Sequence, residues 1–136
     1  MAAEWALFSK STFASGVEST IAKDSSPLGV TSSFQYWDPY PISIVSAKGA
    51  WMTDVDGRQL LDLSMGFGAM LAGHLNEEVI AETKAALEGG TLFVTPSPIS
   101  RDGAERLCKR FGIEKVRFAN SGTEATMYAV RTAKAF

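Results

Sequence analysis

Lys115-Val116-Arg117-Phe118-Ala119-Asn120-Ser121-Gly122-Thr123-Glu124-Ala125 is the stretch on which the fold turns. Val116 and Phe118 alternate with charged Lys115 and Arg117, which predicts a short strand over 115–119. Asn120, Ser121 and Gly122 break that pattern with turn-forming residues. From Thr123 to Phe136 the chain is rich in helix formers and free of Gly and Pro. Strand, small polar turn, helix is the local geometry of an anion site. The first N–H groups of a helix have no intrahelical partner, and the dipole adds roughly half a positive charge there. A phosphate suits that need, with the Ser121 and Thr123 hydroxyls as further donors and Gly122 permitting close backbone approach. The same residues fit a second reading. Ser121 followed by Glu124 is the pattern of an N-capping box, which needs no ligand at all.

In this setting, Asn120-Ser121-Gly122-Thr123-Glu124-Ala125 resembles the phosphate-binding segment of class III aminotransferases, and is most similar to that of the glutamate-1-semialdehyde aminomutase branch. The resemblance implies an α/β fold: the N-terminal part of a fold-type-I transferase dependent on pyridoxal 5'-phosphate. It implies that Ser121, Gly122 and Thr123 hold the cofactor phosphate. It covers about residues 27–136. The family's Schiff-base lysine, acidic partner of the pyridine nitrogen and ring-stacking aromatic lie downstream of these residues. No residue here therefore takes a catalytic role, and the expectation is the first third or so of a longer enzyme, inactive alone. Lys134 sits among small residues in a helix rather than in a strand-end pocket, so it is not the Schiff-base residue.

Composition agrees with a soluble globular chain: 136 residues, 46% hydrophobic, 21% charged, net charge −2. No basic run points to nucleic acid, and no apolar run approaches the roughly 20 residues that span a bilayer. No export leader is visible, so the expected location is cytoplasmic. One Cys and one His exclude an internal disulfide and argue against a protein-only zinc site. Cys108 has no His nearby in sequence and reads as a buried small residue rather than a nucleophile.

Upstream, Phe13, Val17 and Ile21 share a helical spacing, which predicts an amphipathic arm in residues 1–30; in the resembling family this arm lies across a homodimer. Ser25–Ser33 is a loop by its Pro, Gly and Ser content, similar to the family's stretch at the substrate entrance. There the chain departs from the aminomutases, since Gln35 stands where they carry a carboxylate-binding Arg. An amide cannot give the charge-assisted bidentate pairing of a guanidinium, which leaves aminomutase, ω-amino-acid and β-amino-acid transaminase all open. The aromatic, Pro-rigidified stretch 34–41 reads as packing onto a core or neighbouring subunit more readily than as a stacking site.

Residues 31–72 are expected to form the first part of a small domain. Within them Ile42–Ala47, Ala50–Val55 and Gln59–Leu63 are β-like, with Asp56-Gly57 a strong hairpin signal between the last two. Asp54, Asp56 and Asp62 lack calcium-loop spacing and read as turn caps. The Gly-rich run Ser64–His74 lacks a strand–Gly-x-Gly-x-x-Gly–helix setting. By resemblance it walls the substrate pocket, with Phe67 where the aminomutases usually have Trp. His74 reads as a hydrogen-bonded structural residue, because the family's following His and Pro are replaced by Asn76 and Glu77.

Residues 73–136 are expected to begin the large α/β domain. Asn76 caps a predicted helix 77–88 with a buried stripe at Val79, Ile80, Thr83 and Leu87, and Gly89-Gly90 end it. Ser97-Pro98 opens a second helix, to Phe111, in which Gly103 costs about 1 kcal/mol against Ala and suggests a close contact or a break. Amino-group transfer between small amino donors and acceptors is the implied function. A truncated, non-catalytic remnant of the fold and an unrelated phosphate-ligand enzyme are the alternatives.

Overall fold

Two helices open the chain in the computed structural model, which describes residues 2–136: α1 (Ala2–Ser11) and α2 (Phe13–Ala22). Short 3-10 turns follow at Pro27–Gly29 and Ser33–Gln35. Three strands then pair in the order in which they occur, β1 (Ile44–Lys48), β2 (Trp51–Asp54) and β3 (Gln59–Leu61). Both pairings are antiparallel, with Lys48 opposite Trp51 and Trp51 opposite Leu61, and the β1–β2 register slips between Ile44 and Ser46. The Asp-Gly hairpin forms as expected. Gly57 takes φ 84°, and Asp54 N–H donates to the Arg58 carbonyl at 3.0 Å to close the loop. Asp54 is 1% exposed and accepts from the Arg58 N–H and from Arg58 Nε, each at 2.7 Å, so it does cap its own turn.

Beyond the sheet, α3 (Glu77–Glu88) starts where Asn76 Oδ1 accepts from Val79 N–H at 3.1 Å. These elements belong to one compact unit ending at Glu88; Gly89–Phe136 form another, with α4 (Pro98–Phe111) and α5 (Gly122–Ala135). Helix α4 has Pro at its first position, and its Ser97 hydroxyl accepts from Ser100 N–H. It ends at Gly112 in the left-handed region, φ 64° and ψ 32°, with Lys109 and Arg110 in the last turn. The helix runs unbroken through Gly103. A Cβ there would lie 3.7 Å from the Phe118 ring, an ordinary contact, so no crowding within the chain demands glycine at that position.

Three expectations need correcting. Residues 115–119 carry no strand assignment, because a strand exists only with a hydrogen-bonded neighbour and none of the described residues supplies one. The stripe of α3 is not buried, nor is any residue of α4 or α5. Cys108 is intermediate in exposure rather than buried. Among the described residues no apolar side chain is buried at all; the buried residues are polar, namely Thr12, Ser15, Ser19, Asp54 and Asp62. The elements follow from local signals, whereas burial needs covering surfaces that these residues do not provide for one another.

Hydrogen bonds do the cross-linking instead. Thr12 Oγ1 donates to the Phe8 carbonyl at 2.7 Å and meets Tyr40 Oη at 3.1 Å, while the Tyr40 ring lies 5.5 Å from that of Phe8. Gly16 lies so near Tyr40 that a Cβ there would come within 3.0 Å of the ring. Asp56, expected to cap its own turn, reaches α2 instead. Its carboxylate accepts from Ala14 N–H at 2.7 Å, Ser15 N–H at 3.0 Å and the Ser15 hydroxyl at 2.8 Å.

Candidate functional site

At the N-terminus of α5 the capping box is formed. Ser121 is extended, φ −149° and ψ 159°, and its hydroxyl oxygen accepts from Glu124 N–H at 3.2 Å. The Glu124 carboxylate turns back and accepts from Asn120 N–H at 2.7 Å. Arg117 lies over the Tyr128 ring, 4.4 Å from its centroid, which ties the incoming segment to the helix it feeds.

The cap does not use up the donors. Ala125 N–H reaches the Ser121 carbonyl at 3.0 Å, so the third and fourth amides of the helix are satisfied. The N–H groups of Gly122 and Thr123 have no partner among the described residues, and neither does the Thr123 hydroxyl. Ser121 accepts through its oxygen, which leaves its O–H free to donate. A Cβ built on Gly122 would meet nothing within 4 Å. Glycine is thus not required there by packing within the chain, and its bare Cα leaves space for something outside it. Two amides, two hydroxyls and the positive end of a 14-residue helix make a donor set that fits a phosphate monoester. The cap is formed, and it leaves these donors unused.

The Gly-rich segment is anchored at both ends by Asp62. Its Oδ1 accepts from Ser64 N–H at 2.9 Å and Met65 N–H at 2.8 Å, and its Oδ2 pairs with His74 Nε2 at 2.7 Å. His74 and Gly49 exchange backbone hydrogen bonds at 2.8 and 2.9 Å, docking the end of the segment on the β1–β2 turn. Gly73 permits this docking, since a Cβ there would stand 3.2 Å from the Gly49 carbonyl oxygen. His74, held in this pair, has the surroundings of a structural residue. The His74 hydrogen bond, joined by those from Met65 and Ser64 and by the His74 charge, outweighs burial and holds the Asp62 carboxyl below its usual range.

Between these anchors the backbone takes positive φ at Met65 (46°), Gly66 (61°), Phe67 (56°) and Gly68 (86°). Phe67 is 83% exposed and meets Phe34 edge-on, with ring centroids 5.5 Å apart. The structure thus brings Phe34, from the aromatic stretch, to Phe67, a pairing that sequence spacing does not reveal. Among the described residues no three metal-ligating side chains gather. Lys134 is exposed in the last turn of α5. The α2 face carries an open groove of about 420 Å³ lined by Phe13, Val17, Ile21 and Tyr40, which offers surface but no clustered chemistry.

Comparison with known proteins follows the same segments. The family model for aminotransferase class-III matches residues 34–136. A glutamate-1-semialdehyde 2,1-aminomutase of Nitrosopumilus maritimus is 42% identical over 116 residues, covering 85% of this chain and 27% of that protein. Among solved structures, a β-phenylalanine aminotransferase from Variovorax paradoxus superposes with TM-score 0.92 at 28% identity, over 97% of this chain and 31% of that one. A transaminase with PLP bound superposes with TM-score 0.87 at 37% identity, over 91% of this chain and 30% of that one. The chain therefore spans between a quarter and a third of the length of the relatives it matches.

Proposed function

The chain belongs to the class-III aminotransferases, and from that premise we propose that the whole protein transfers amino groups with pyridoxal 5'-phosphate, the α5 N-terminus gripping the cofactor phosphate. Its fold is the N-terminal part of a fold-type-I transferase: a small antiparallel sheet and the opening helices of the large α/β domain. We assign residues 1–30 to an arm, 31–72 to the small domain and 73–136 to the start of the large one. Ser121, Gly122 and Thr123 hold the phosphate through two amides and two hydroxyls, and Phe67 lines the substrate pocket. The observation that carries this reading is the pair of unpartnered amides at Gly122 and Thr123, beside a glycine whose Cβ position opens onto free space. When bound, the cofactor supplies the electron sink for chemistry at an amine-bearing carbon. These residues orient it and do no proton transfer, so none is catalytic. Substrates are small amino donors and acceptors.

Exposed apolar faces on α2, α3 and α5 support association with further surfaces of a longer, homodimeric protein. No described helix is long and apolar enough to cross a membrane, and we place the enzyme in the cytoplasm.

The test uses the product of the whole reading frame. It should bind pyridoxal phosphate with a visible absorption that borohydride bleaches. Pyridoxamine phosphate, which forms no Schiff base, isolates the phosphate grip. Thr123→Ala should weaken its retention in equilibrium dialysis by about 1–3 kcal/mol through the lost donor, and Thr123→Ser should restore it. A colourless preparation would favour the non-catalytic remnant, and unchanged retention in the alanine variant would remove Thr123 from the site.

A further inference from the structure

Glu124 stands half-buried in the first turn of α5, and its carboxylate departs from the usual capping box. In that motif the acid accepts from the N–H of the capping residue, which here is Ser121. Glu124 reaches one residue further back instead, where Oε2 accepts from Asn120 N–H at 2.7 Å. The Ser121 N–H is thereby left without a partner among the described residues, as are those of Gly122 and Thr123. Ser121 is meanwhile held from both sides, by the Asn120 bond before it and by Glu124 N–H, which donates to its hydroxyl oxygen at 3.2 Å. Its extended backbone, φ −149° and ψ 159°, sets the plane of the peptide that carries the Gly122 N–H.

The same carboxylate brings a charge of the wrong sign for an anion site. Glu124 forms no ion pair among the described residues, and the Arg117 guanidinium of the incoming segment lies over the Tyr128 ring. A negative charge in the first turn favours an empty helix N-terminus, and it repels an anion that arrives there. Hydrogen bond and charge therefore act in opposite directions on a bound phosphate.

We propose that Glu124 is the positioning residue of the phosphate grip. Through Asn120 it fixes Ser121 and the free amides before the phosphate arrives, so that binding need not order them. Its charge keeps the grip looser than the donor set alone would make it. The inference rests on the cofactor reading above and adds the residue that sets how firmly the phosphate is held.

Three substitutions separate the two effects. Glu124→Gln keeps the bond and removes the charge, Glu124→Asp keeps the charge on a stem too short to reach Asn120, and Glu124→Ala removes both. Equilibrium dialysis measures pyridoxamine phosphate on the product of the whole reading frame and on each variant. Glu124→Gln should hold it about two- to fivefold more tightly than the unaltered protein. Glu124→Ala should hold it about three- to tenfold more weakly than Glu124→Gln, and Glu124→Asp more weakly still. Pyridoxamine, which lacks the phosphate, should bind all four proteins alike. The Asn120 amide should exchange with solvent slowly in the unaltered protein and in Glu124→Gln, and fast in the other two. Equal retention in Glu124→Gln and Glu124→Ala, a Glu124→Gln variant no tighter than the unaltered protein, or a parallel loss of pyridoxamine would each overturn this inference alone. If the alanine variant does not fold, Glu124→Asp against Glu124→Gln decides in its place. An unaltered protein that retains no pyridoxamine phosphate would overturn the parent reading and this one with it.

Discussion

In Asp56→Ala, the amides of Ala14 and Ser15 should exchange with solvent roughly 10- to 100-fold faster, as helix α2 loses its anchor on the sheet. Helix α2 has no local cap, because Thr12 stands at its N-cap position with no side-chain capping bond. Its Oγ1 is turned back to the Phe8 carbonyl and Tyr40 instead. The missing acceptor comes from the hairpin loop. Asp56 takes both amides and the Ser15 hydroxyl, and places a negative charge at the positive end of the helix. Ser15 passes the connection on, since its oxygen accepts from Ser43 N–H at 3.3 Å. Asp56→Asn should restore only part of the protection, because one oxygen becomes an NH₂ group facing donors. Hydrogen exchange read by mass spectrometry on the whole product is the measurement. Unchanged protection in the alanine variant would mean that α2 is held by other contacts.

The same carboxylate predicts an acid limit. Burial pushes the Asp56 carboxyl up, but the Ala14 N–H, the Ser15 hydroxyl and N–H and the Arg58 charge together leave it lowered. Its folded value thus lies below the unfolded one, about 3.9. The stabilisation is fully present above the unfolded value and is lost as pH falls through the folded one. Protection at Ala14 and Ser15 should therefore be flat from neutral pH down to about pH 5 once intrinsic exchange rates are divided out, and should decline below about pH 4.

Asp62→Ala should free the Gly-rich segment. Three donors lose one carboxylate: the Ser64 and Met65 amides at one end and His74 Nε2 at the other. Met65 and Phe67 hold positive φ only while the ends of the segment are fixed, so release should let both relax. Ser64 and Met65 amides should exchange roughly 10- to 100-fold faster. Asp62→Asn separates the two ends, because its remaining oxygen can serve the amides while its NH₂ group opposes the ring N–H. Ser64 and Met65 should then stay protected while the Gly49–His74 docking loosens. Fast exchange at Ser64 in the asparagine variant would show that the His74 pair, rather than the local cap, holds this end.

Local chemistry made much of this legible. Asn76, Ser97-Pro98 and Gly112 mark helix ends because a cap satisfies backbone groups within a few residues of itself, a fact written in the sequence. Asp56-Gly57 marked the hairpin, and Ser121 with Glu124 marked the start of α5, for the same reason. The carboxylates were legible only in part. That Asp54 would cap its own loop could be read from its neighbours, whereas the reach of Asp56 across 41–42 residues to α2 could not.

By itself, then, the sequence determined where α3, α4, α5 and the hairpin lie, and it identified the family through Asn120–Ala125, because those features depend on spacings of two to four residues. Tertiary structure alone decided the contacts between distant segments: the reach of Asp56 to Ala14 and Ser15, and the meeting of Phe34 with Phe67. Pairing of 115–119 is likewise beyond local reading, since a ladder needs a second strand, and none among the described residues supplies it.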